Sequence, residues 1–406
     1  MKKLSLALFI LAIGIGQTPA ATQPATAQPH DMAKMWKTSL SRQPLAVTAT
    51  FDSTGRLWLV SVQDGHVRVS HSDDQGKTFS TPTLVNPEHE FVAAEGENRP
   101  KIVLAGNGNI YISYTQSLET PFSGNVRFSR SLDGGKSFSL PITVNDNLDP
   151  FTHRFDAMGI NGSGQIYIAW LDKRDAAAAN KEEKKFSGIS VYYAVSDDQG
   201  KSFHANIKAA DHSCECCRVA MAIDTDGYPV IAWRHVYDTN IRDHALVKLD
   251  GKMTPVRLSY ENWNIAACPH HGPSISIAAD GVYHATWFSN APQLHGLFYA
   301  YSTDQGWIFS SPLNFGDLEA QPAHPYVLSL GTRVYLVWKE FDGESTSILG
   351  KNSSDGGKSW TLPKKLASTS DTSDSPMLIS ESNRVYLSWN TLKEGYRLIE
   401  IFGEHQ

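Results

Sequence analysis

The chain has 406 residues, 41% hydrophobic, 19% charged and 10% aromatic, with a formal net charge of −6 at pH 7. That mixture can bury a large core and is too apolar for a disordered chain. No basic block stands out, which argues against a nucleic-acid partner, and 30 Gly with 20 Pro point to short elements joined by turns.

Lys2 and Lys3, an apolar run from Leu4 to Gly16 and the small-residue exit Pro19-Ala20-Ala21 read as a secretory signal over residues 1–21, with cleavage as late as Ala27. Residues 22–30, rich in Ala, Thr, Gln and Pro, form a flexible lead-in. Residues 31–406 read as one domain. No later apolar run reaches the roughly 18 residues of a membrane span, so a periplasmic or secreted monomer is expected. In that compartment thiols pair unless a metal or reductant protects them.

One phrase recurs along the domain. It begins at Ser72, Ser131, Ser196, Ser302 and Ser353, each time with Asp two residues on (Asp74, Asp133, Asp198, Asp304, Asp355) and Gly four residues on. A hydroxyl residue and an aromatic close it, except in the fourth copy, where Ile308 replaces the hydroxyl. A worn copy lies near Leu249-Asp250-Gly251-Lys252. Asp caps its own turn and Gly tolerates positive φ, so the phrase is a structural staple. Ahead of each staple runs an alternating strand ending in an aromatic: Trp58, Tyr114, Trp170, Trp233, Trp287, Trp338 and Trp389. These tryptophans read as core. Units of about 50–65 residues with period-two strands predict a β-propeller of four-stranded antiparallel blades, seven rather than six. The last unit supplies three strands, and one near residues 36–40 is expected to close the ring. The insertion at residues 172–186 reads as a solvated loop.

The repeated Ser-x-Asp-x-Gly phrase resembles the Asp box, or BNR repeat, of the sialidase (neuraminidase) superfamily, and the resemblance spans the mature chain. It implies an arginine triad for a substrate carboxylate, an Asp acid and a Tyr nucleophile helped by Glu. The matching first arginine is Arg42, in Ser41-Arg42-Gln43-Pro44, which lacks the aromatic and Ile of the family pattern. Arg99, Arg154 and Arg218 open later blades, and Asp156 or Asp172 is the candidate acid, with Glu340 the tyrosine's candidate partner.

Aligning blades on the turn glycines Gly164, Gly227 and Gly281 places His153, Cys216 and His270 at one level of the channel mouth. Cys214 and Cys268 share a second level; Cys217 and His271 share a third. Two readings of these residues stand. In one, Cys214–Cys268 and the vicinal Cys216–Cys217 are disulfides. In the other, His153, Cys216, Cys217, His270 and His271 converge on copper or zinc. Three functions follow: a binding module for a small molecule, glycan or metal; a sialidase-type glycoside hydrolase; or a structural propeller stapled by disulfides.

Overall fold

The computed structural model describes residues 44–403 apart from 253. The expected signal and lead-in, the expected closing strand at residues 36–40 and Arg42 all lie outside the described residues. Among the described residues seven antiparallel sheets follow one another along the chain, six of four strands and the last of three. Their first strands are Thr48–Phe51, Lys101–Leu104, His153–Ile160, Ala220–Ile223, Ser274–Ile277, Ala323–Leu330 and Met377–Glu381. Each packs beside the first strand of the next sheet, and Met377–Glu381 packs back on Thr48–Phe51. This is a seven-bladed propeller with the first strands lining a central channel. No helix among the described residues is long and apolar enough to cross a membrane.

The second strand of each blade fills the blade interior. Trp170, Trp233, Trp287, Trp338 and Trp389 are all essentially inaccessible to water. An indole that large is most stabilising when its N–H also finds an acceptor. Trp170 donates to Asp172 (2.8 Å), Trp338 to Glu340 (2.7 Å) and Trp58 to Asp52 (2.9 Å). Asp172 and Glu340 are therefore acceptors for core indoles. In blade 4 the residue two after the tryptophan is His235, and Trp233 Nε1 has no hydrogen-bond partner among the described residues.

The five staples share one geometry. Ser72 Oγ donates to Asp74 (2.7 Å) and accepts from the Gly76 N–H (2.8 Å), while Thr78 donates its N–H and hydroxyl to the same carboxylate. The copies at Ser131, Ser196 and Ser353 repeat all four bonds; the copy at Ser302 lacks the hydroxyl bond, as Ile308 requires. These bonds hold Asp74 and Asp133 down at about 2. The turns also join blades. Phe203 of blade 3 meets Phe128 of blade 2 edge-on at 5.0 Å, and Trp360 of blade 6 meets Tyr299 of blade 5 at 4.8 Å.

The insertion in blade 3 is a helix, Arg174–Lys181, where a solvated loop was expected. The run Ala176–Ala179 has the strongest helix propensity of any residue type, Asp175 sits in the first turn, and Ala176 is buried against the blade 3–4 core.

Candidate functional site

The channel mouth is crossed by buried ion pairs. Glu97, just ahead of the inner strand of blade 2, reaches three other blades. Its Oε2 accepts from the backbone N–H of Arg218 (3.2 Å) and Gly272 (2.6 Å). Its Oε1 lies 3.4 Å from Arg218 Nη1 and 3.2 Å from His324 Nδ1. Burial pushes the Glu97 carboxyl up, but Arg218, His324 and His271 outweigh it and hold it at about 2. A cavity of about 360 Å³ follows the channel, lined by Arg99, Lys101, Arg218, Tyr326 and Met377 among others. Burial brings the Lys101 ammonium down to about 8. A second, more open hollow of about 430 Å³ beside Lys339, Phe341 and Asp371 contains none of the sequence candidates.

Of the arginines proposed for a substrate carboxylate, the three that are described, Arg99, Arg154 and Arg218, are engaged by the protein. Arg99 forms a two-pronged pair with Asp374 (2.7 and 2.8 Å) and donates to the Val47 carbonyl (2.9 Å). Arg218 donates to the carbonyls of Pro273 (2.8 Å) and Pro325 (3.0 Å) as well as facing Glu97. Arg154 lies 3.9 Å from Glu95, with its guanidinium over the Phe155 ring. Asp156 is buried and accepts from Ser113 (2.6 Å) and Thr115 (3.3 Å). Tyr114, on the second strand of blade 2 among core side chains, donates to Glu90 (2.8 Å) in the segment ahead of that blade.

The cysteines gather where blade 3 passes to blade 4. The outer strand of blade 3 (Ile207–Ser213) bends at His212, which takes a positive φ, and the Cys214 N–H bonds to Arg234 O (2.8 Å) on the second strand of blade 4. The turn that follows folds the next two thiols back. Cys214 Sγ lies 3.7 Å from Cys216 Sγ and 3.7 Å from Cys217 Sγ, and the three sulfurs are all within 4.8 Å of one another. All three residues are buried. Cys268, from the approach to blade 5, is exposed, stands outside this group of three sulfurs and is close enough to act on the charge of Cys214. No cysteine is in a disulfide. Thiol donors on Cys216, Cys217 and Cys268, with the Arg242 guanidinium, pull Cys214 well toward the thiolate.

Of the five residues expected to ligate metal, Cys216 and Cys217 are in this cluster, joined there by Cys214. The histidines have other engagements. His153 is buried, with Nδ1 3.0 Å from Gly124 O and Nε2 3.9 Å from Asp172. His271 stacks between Phe288 and His324, and burial lowers it to about 3. His270 is exposed on the Cys268 segment. The sequence reading missed the cations around the sulfurs. Arg242 Nη1 donates to Cys214 Sγ (3.0 Å), Arg234 is close enough to act on the charge of Cys217, and Arg154 on that of Cys216. Arg242 and Arg234 stand 28 and 17 residues from their cysteines, with no motif linking them. Only the blade register unites them.

Fold and site together define a seven-bladed β-propeller with an ion-paired channel and a thiol cluster at its mouth. The BP39L lectin from Burkholderia pseudomallei superposes with a TM-score of 0.55 at 11% identity, over 88% of this chain and 99% of that one. An ulvan lyase, a polysaccharide lyase bound to GlcA(1-4)Rha3S, gives 0.53 at 11% identity, over 88% and 92%. A Hadza microbial sialidase gives 0.49 at 14% identity, over 83% and 73%. At such identities the likeness is one of fold. No protein-family model matches the sequence, and no curated protein matches it.

Proposed function

We propose that the protein is an exported binding propeller that holds one soft metal ion, copper(I) or zinc(II), in the thiolates at its channel mouth. The observation that carries this reading is the sulfur spacing. Metal–sulfur bonds of about 2.3 Å in a tetrahedron put neighbouring sulfurs about 3.8 Å apart, whereas a disulfide needs about 2.05 Å. Cys214 stands 3.7 Å from both Cys216 and Cys217. Thiolates bound to such an ion carry net negative charge, and Arg242, Arg234 and Arg154 supply the offset in a buried setting. The signal-like N-terminal sequence supports a site outside the cytoplasm, where bound metal would keep the thiols reduced.

A sialidase needs guanidinium groups free to receive a carboxylate. Arg99 and Arg218 already face Asp374 and Glu97. The cavity beside them suits a small molecule or a glycan end, so the propeller is read as a binder and not a hydrolase. The test is elemental analysis with thiol counting on protein purified without oxygen or chelator. About one copper or zinc per chain is expected, with the three buried thiols reactive only after denaturation in chelator. Metal-free protein that releases sialic acid from a sialoside would replace this reading with the hydrolase.

A further inference from the structure

Cys268 differs from the other three cysteines in how its backbone is held. The chain between blades 4 and 5 is tied down at two points. Arg242 Nε donates to Ile265 O (2.9 Å), and the Ile265 N–H bonds to Asn240 O (3.1 Å). Further on, Arg234 grips His271 O through Nε (3.2 Å) and Nη2 (2.8 Å), and Glu97 accepts from the Gly272 N–H (2.6 Å). Between these ties, Ala266, Ala267, Cys268 and His270 are exposed and make no backbone hydrogen bond among the described residues. Within the arch the Pro269 carbonyl meets His271 Nδ1 (2.5 Å), and an exposed segment with so few backbone bonds opens at little cost while its anchored ends stay in place.

We propose that Cys268 is the exposed, exchangeable fourth ligand of the thiolate centre, and that the arch at residues 266–270 is the port through which the ion is loaded and handed on. This rests on the metal reading above. A structural zinc site is closed by four shielded ligands. Here three sulfurs are buried and the fourth faces solvent. An incoming thiolate or imidazole approaches from that side, its bond to the metal forms as the bond to Cys268 sulfur breaks, and Cys268 takes up a proton. The metal keeps its oxidation state. The partner that fits is a soluble carrier offering a thiolate or imidazole.

The test uses the full-length protein loaded with one equivalent of zinc(II) or copper(I), transferring it to a chromophoric chelator. The Cys268→Ser variant should still hold one equivalent, show three sulfur neighbours where the wild type shows four by X-ray absorption, and release metal at least about tenfold faster. Cys216→Ser should lose the metal. Arg242→Lys, which keeps a cation beside Cys214 but drops the tie to Ile265, should keep four sulfurs and release faster. A melting scan of the metal-free variants separates misfolding from ligand loss. Wild-type sulfur count and release rate in both Cys268→Ser and Arg242→Lys would overturn the port, as would complete metal loss in Cys268→Ser. Those results leave the metal centre standing. A wild type that takes up no metal brings down both.

Discussion

Glu97 touches three blades besides its own, and its loss separates two effects. Removing the carboxylate leaves Arg218 buried without its acid, a change that costs about 3–5 kcal/mol when a buried pair is broken from one side. Glu97→Gln should therefore melt well below the wild type at neutral pH. The pH profile carries the sign. The folded carboxyl sits at about 2 against an ordinary 4.5, so its contribution is full above 4.5 and disappears as pH falls toward 2. Asp74 and Asp133 titrate in the same window, so the informative quantity is the gap between wild type and Glu97→Gln. That gap should close on acidification. A gap constant from pH 7 to pH 3 would show that Glu97 is not the anion of this cluster. At this scale the sequence was legible only in part. Three cysteines in four residues stand out in any reading, and level-matching between blades paired Cys214 with Cys268, which form no disulfide. The same arithmetic also pointed His153 and His270 at the thiol cluster, because strand register fixes height and says nothing of which way a side chain turns. Arg242 carries no local mark at all.

At the scale of the element, the five staples were readable because their chemistry is contained in eight consecutive residues. Hydroxyl, carboxylate and glycine answer one another within a single turn, and sequence displays such local bonds directly. Their second task, joining each blade to the one before, is non-local and was not visible. Gly200 shows both. It has φ of 75°, and a Cβ there would stand 2.5 Å from the Phe128 ring of the preceding blade. Gly134, with φ of 72°, has open space around it. Gly134→Ala should cost about 1 kcal/mol from backbone conformation alone. Gly200→Ala adds a clash with a packed ring and should cost about 2–4 kcal/mol. Urea denaturation of the two variants measures the difference. Equal costs would mean that the staple acts only within its own turn. The helix Arg174–Lys181 marks the opposite limit, since its charged flanks resemble a solvated loop until Ala176 finds a core to enter.

At the scale of the whole molecule, a propeller is stable as a ring only if the last blade grips the first. Among the described residues blade 7 has three strands, and its hold on blade 1 includes a small polar seam. Asp374 receives the Val47 N–H (3.2 Å) and both prongs of Arg99, which in turn binds Val47 O; Asn390 donates to Leu45 O (2.8 Å). Arg99 and Asp374 lie 275 positions apart. Sequence alone shows Arg99 as an arginine opening a blade, which is why it passes for a substrate ligand until the ring closes and brings Asp374 to it. If closure is its task, its loss should act on the seam before the rest. Asp374→Ala and Arg99→Ala should each cost about 3–5 kcal/mol, and the double variant less than their sum, because removing both charges strands neither. Hydrogen exchange in Asp374→Ala should speed first in Thr48–Phe51 and Met377–Glu381, ahead of the inner strands of blades 3 to 5. Uniform acceleration around the ring would mean that the apolar contacts of blade 7, Tyr386 on Phe51 among them, close the propeller by themselves.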